Sequence, residues 1–134
     1  MAGITLQDAQ KVIEAAIAKC QSMGLKMAVT VVDAHAEVVA VARMDGVQGF
    51  AADVCRGKAM ATALWRQPSV NLQERANSPV LQAVSQLHGG KLVYWQGAVP
   101  IMRDGELIGA VGAGGARPEQ DEEVAKAGAL AIAT

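Results

Sequence analysis

Aromatic residues are scarce: one Phe, one Tyr and two Trp make up 3% of the chain. A pocket in such a protein has few rings to line it, so a planar ligand must rest mainly on methyl groups. Cysteine is nearly as rare. Cys20 and Cys55 are too few and too far apart for a metal knuckle. Neither sign of charge dominates: the formal net charge is -1 and the pI about 6.1, which gives no electrostatic ground for nucleic acid or an anionic membrane as partner. Long apolar runs are missing as well, and the opening MAGITLQDAQ has no basic segment leading into an apolar one. These absences predict a cytoplasmic setting, where a disulfide is disfavoured. No repeat, linker or low-complexity tract divides the chain, so residues 1–134 are expected to form a single domain.

What is present is aliphatic. Hydrophobic residues reach 51% of the chain, largely alanine, valine, leucine and isoleucine, enough to bury a sizeable core. The most structured stretch is Gly97 to Glu123, GAVPIMRDGELIGAVGAGGARPEQDEE. Ala98 to Met102 and Leu107 to Val111 read as two strands, and the Asp104-Gly105 pair between them favours the positive φ angles of a hairpin turn. Pro100 has no N–H to donate, which suits an edge strand or a position facing away from a neighbour. Gly109, Gly112, Gly114 and Gly115 follow. They lead into Arg117-Pro118-Glu119-Gln120-Asp121-Glu122-Glu123, a helix start with proline and carboxylates in the first turn. Glycines before a helix N-terminus can hold an anion. Here the spacing matches neither the dinucleotide fingerprint nor the phosphate loop, and the carboxylates would repel a phosphate. The competing reading is that the glycines let a strand pass close to another backbone.

Taken in order, Thr5 and Asp8 open a first helix as a capping box, Ala9, Val12, Ile13, Ala16, Ile17 and Cys20 recur at helical spacing, and Gly24 closes it. Lys26 to Val32 and Val38 to Ala42 form a second hairpin. Its turn lacks glycine, which leaves either a longer loop over Ala34 to Ala36 or a left-handed His35. A small-residue helix is expected over Ala51 to Gln67, ended by Pro68, then two short helical pieces up to Gln86. Leu92 to Trp95 is expected to open the last three strands, and a final helix covers about Pro118 to Ile132. Strands gathered into hairpins with helices around them predict an α+β domain.

VTVVDAHAEVVAVARMDGV, the helix carrying RGKAMATALW, and above all GAVPIMRDGELIGAVGAGGARPEQDEEVAKAGAL resemble the GlcG/HbpS family of haem-binding-like proteins, also found as the C-terminal domain of PduO-type proteins. The likeness spans nearly the whole chain in order. It implies a profilin-like fold with a five-stranded antiparallel sheet between helices, homo-oligomers, and haem or corrinoid-like tetrapyrrole binding in some members. Many members carry glycine or asparagine-glycine where this chain has His35-Ala36, a change that places a potential ligand on the turn.

His35 and His88 are the only histidines, and imidazole is the usual haem-iron ligand among the residues available. His35, at a hairpin tip, is the candidate metal ligand; against it stands a plain solvent-facing turn residue. No His-x-x-x-His, Cys-x-x-Cys or c-type attachment motif is present. Lys58 lies among small residues, where a lysine either pairs with Asp53 or Glu122 or serves as acid/base or carboxylate ligand. A buried carboxylate from Asp121 to Glu123, with Glu122 the leading choice, would complete an acid/base pair. Arg43, Arg56 and Arg117 could clamp a carboxylate, and Gly114 with Arg117 would border such a site. Trp65 and Trp95 read as core or interface anchors. Two functions follow: an oligomeric binder of haem or a related tetrapyrrole, or a cofactor-independent lyase, isomerase or hydrolase acting on a small organic acid or aromatic carboxylate.

Overall fold

Two central strands are buried at nearly every position, so each has residues to cover on both faces, and the rest of the fold covers them. The architecture comes from a computed structural model describing residues 3–133. Its elements are α1 (Leu6–Ser22), β1 (Ala28–Asp33), β2 (Val38–Arg43), α2 (Ala51–Trp65), a 3-10 segment (Ser69–Arg75), α3 (Pro79–Leu87), β3 (Ala98–Arg103), β4 (Glu106–Gly114) and α4 (Pro118–Leu130). The strands form one antiparallel sheet in the order β2-β1-β4-β3.

One face meets α1 and α4. Val29, Val31, Val111, Ala113 and Ile101 bury there with Val12, Ala16 and Val124. The capping box that starts α1 is present: the Asp8 N–H donates to Thr5 Oγ1 at 3.0 Å and the Thr5 N–H to the Asp8 carboxylate at 3.1 Å. The other face meets α2, whose alanines and Cys55 sit on Ala28, Val32 and Ala110. Small residues on both sides bring helix and sheet close. A Cβ at Gly112 would collide with the Cys55 carbonyl oxygen and lie 3.1 Å from the Ala59 nitrogen. The glycines of β4 therefore act in packing, as close approach requires.

The expected five-stranded sheet is corrected to four strands among the described residues. Leu92 to Trp95 does not join the sheet. It crosses α2, with Leu92 and Tyr94 buried in a cluster with Ala61, Leu72 and Leu81, and the Tyr94 hydroxyl donates to the Leu81 carbonyl at 2.6 Å. Gly57 makes the crossing possible, because a Cβ there would strike the Lys91 carbonyl oxygen. The apolar run of this segment thus serves packing on a helix.

Both hairpins form. Asp104 (φ 51°) and Gly105 (φ 79°) adopt the paired left-handed conformations of a type I′ turn. Pro100 lies in β3, an edge strand paired only with β4, where its missing N–H breaks no ladder. In the β1–β2 turn the left-handed residue is Ala36 (φ 65°), not His35. The Asp33 carboxylate explains this: it accepts the N–H groups of His35 (2.8 Å) and Glu37 (3.0 Å), fixing the turn from its start. No helix among the described residues is long and apolar enough to cross a membrane.

Candidate functional site

The small residues that let α2 pack tightly also bury Lys58. Its side chain is 3% exposed, and its ammonium donates to Asp121 Oδ2 at 3.0 Å and to the Ala113 carbonyl at 3.3 Å. Asp121 is held from its other oxygen by the Ala116 N–H at 3.1 Å. Burial pushes the Asp121 carboxyl above the usual carboxylate range, and the Lys58 charge opposes that shift. Gly97, at φ 140°, lies over the pair: a Cβ there would come within 2.7 Å of Lys58 Nζ and 3.0 Å of the Ala113 oxygen. Lys58 and Asp121 line a cleft of about 340 Å³ whose walls include Val54 and Val93 and whose rim carries Phe50 and Trp95. Two of the chain's four aromatic rings thus meet at one opening, which composition alone did not suggest. Trp95 is 47% and Phe50 63% exposed.

The partner of Lys58 is Asp121 rather than Asp53 or Glu122. Asp53 pairs with Arg56 at 3.3 Å on the surface of α2, and the Glu122 carboxylate accepts from the Gln96 amide at 2.8 Å. A helix turns 100° per residue, so Asp121 points inward while its neighbour Glu122 is carried round the side. None of the three candidate arginines lines the cleft. Arg117 is exposed and pairs with Glu119 at 3.4 Å, and Arg43 borders a separate hollow with Lys26 and Asp45. Gly114 is buried against α2, 3.3 Å from the Ala51 oxygen on the same reckoning of an added Cβ.

The two histidines converge elsewhere. His35, on the β1–β2 turn, and His88, which caps the C-terminus of α3, line one cleft of about 330 Å³ together with Met60 and Lys91. Neither imidazole has a hydrogen-bond partner among the described residues. The same residues contain no group of three or more His, Cys, Asp or Glu able to hold a bare metal ion. Sequence reasoning named both histidines without bringing them together, because their approach depends on the 3-10 segment and α3 folding back over α2. Met60, at helical spacing among alanines, gave no separate signal.

A family profile described as "Haem degrading protein HbpS-like" matches residues 4–130. The chain belongs to the HbpS-like family. Within and around that family, protein GlcG of Escherichia coli strain K12 is 32% identical over 109 residues, covering 81% of this chain and 79% of GlcG. The corrinoid adenosyltransferase PduO of Salmonella typhimurium is 27% identical over 135 residues. That match takes in 96% of this chain, which spans only 39% of PduO. The crystal structure of a PduOC–haem complex superposes with a TM-score of 0.85 at 26% identity, covering 98% of this chain and 96% of that one. The family's α+β architecture, with helices flanking an antiparallel sheet, is the one described above.

Proposed function

We propose that this protein binds haem or a related tetrapyrrole, with His35 as the candidate axial ligand, and does so as a cytoplasmic homo-oligomer. The observation that carries the reading is that His35 and His88 line one solvent-open cleft, with no hydrogen bond to either ring among the described residues. A haem iron needs only one or two protein ligands, and imidazole nitrogen and methionine sulfur are both suited to it. The donor set fits: two imidazoles, the Met60 thioether, and in Lys91 a cation for a propionate, with the Glu37 carboxylate also on the lining. Haem would supply a redox-active iron, and this chain's residues would hold and orient it. Membership of the HbpS-like family and the PduOC–haem relative support the same ligand class.

Haemin titration followed at the Soret band tests this. A saturable, stoichiometric shift is expected for the parent protein, lost or weakened at least tenfold in His35→Ala, with a smaller loss in His88→Ala. A shift unchanged in both variants overturns the histidine assignment; no saturable shift overturns haem. The oligomer has its own check. Leu6, Leu87 and Leu130 are 56%, 82% and 74% exposed, apolar area that association would cover. Light scattering should give a mass at least twice the 13.8 kDa of the chain; a monomer over micromolar concentrations refutes this part of the proposal.

A further inference from the structure

The Lys58 cleft is distinct from the histidine cleft and shares no lining residue with it. Three features of it bear on what it can hold. An ammonium has three N–H donors, and the protein takes two of those of Lys58, one at the Ala113 carbonyl and one at Asp121. A buried donor left without an acceptor is unfavourable, so the third asks for one from the cleft. Next, the charge is already balanced. Asp121 stands 3.0 Å from the ammonium, and no guanidinium lines the cleft to offset an incoming carboxylate. An anion would meet the Asp121 carboxylate, and a cation would meet Lys58. Finally, the lining is mixed: Gln48 stands with the Lys58–Asp121 pair, and Val54, Val93 and the exposed rings of Phe50 and Trp95 supply the apolar part. An apolar cavity of about 150 Å³ accommodates benzene, so about 340 Å³ leaves space for a ring and a polar substituent.

We propose that this cleft is a second binding site, for a small uncharged ring-bearing molecule that presents a carbonyl oxygen to Lys58 while its ring lies between Phe50 and Trp95. The site goes beyond the tetrapyrrole reading and stands or falls independently of it. Gly97 leaves the Lys58 ammonium unhindered: a Cβ at that position would come within 2.7 Å of it.

The test is a ligand-detected NMR titration with benzamide, an uncharged carbonyl probe, and with benzoate, its anionic counterpart of the same shape. Benzamide is expected to bind saturably at one site per chain, and benzoate at least tenfold more weakly. Phe50→Ala, a surface change that leaves the core intact, should weaken benzamide at least threefold, and Lys58→Met, checked for folding by circular dichroism, at least tenfold. His35→Ala should leave benzamide binding unchanged, which separates this site from the haem cleft. The proposal is overturned by absent saturation with benzamide, by benzoate binding as tightly, or by Phe50→Ala having no effect.

Discussion

Lys58→Met should destabilise the protein by about 3–5 kcal/mol at neutral pH, and Asp121→Leu by a similar amount, because each leaves a buried charge without its partner. Both side chains are buried, 3% and 4% exposed, so a lone ion left there is poorly solvated. A double variant, Lys58→Met with Asp121→Leu, should recover most of the loss, since buried ion pairs commonly exchange for apolar residues of similar volume with little net penalty. Denaturant unfolding of the four proteins measures this; a double variant as unstable as the sum of the singles would mean that packing, not charge, dominates. The pH dependence supplies a second check. Burial already raises the Asp121 carboxyl in the folded state, and removing Lys58 takes away the main opposing influence. A carboxyl whose folded pKa lies above its unfolded value favours the folded state below the unfolded pKa, and loses that advantage as pH rises through the folded one. The deficit of Lys58→Met should therefore shrink as pH falls from 7 toward the ordinary carboxylate range.

That pair also shows how far the sequence could be read. Lys58 among alanines, and a carboxylate somewhere in Asp121 to Glu123, were both legible. The choice of Asp121 was not, because it depends on the rotation of α4, which the α1–α4 packing sets. Gly128 against Val12 is part of that packing, since an added Cβ would come within 2.9 Å of the Val12 oxygen. The capping box at Thr5 and Asp8, the Asp104-Gly105 turn and the edge position of Pro100 were readable because each rests on chemistry within a few residues. Leu92 to Trp95 misled for the converse reason: its apolar, aromatic run is real, but the surface it meets is α2, and only tertiary structure distinguishes a helix face from a sheet edge. Poor alternation over Lys26 to Val32 has its explanation in burial on both faces of β1, which places apolar residues at successive positions.

Gly112→Ala is expected to cost about 3 kcal/mol, the upper end of what overpacking a well-filled core produces. The reason is what the new methyl meets. At Gly112 it collides with the Cys55 carbonyl oxygen and crowds the Ala59 nitrogen, both backbone atoms of α2 that no rotamer change can move. Gly114→Ala, two residues along the same face of β4, meets its nearest atom, the Ala51 oxygen, at 3.3 Å and should lose less than half as much. The comparison separates steric clash from the loss of glycine as such, because neither position has a positive φ. Equal effects at both, read as shifts in denaturation midpoint at constant slope, would point instead to a general intolerance of β4. Gly57→Ala extends the argument to the far side of α2, where the methyl strikes the Lys91 carbonyl and the Val93 side chain. The helix is fixed against the sheet through Gly112, so the segment Leu92 to Trp95 must give way, and with it Val93 and Trp95 at the Lys58 cleft. Gly57→Ala should therefore weaken benzamide binding even where the fold survives, while Gly114→Ala leaves it intact. The small residues of α2 and β4 thus do two things at once: they close the core, and they hold one wall of the cleft in place.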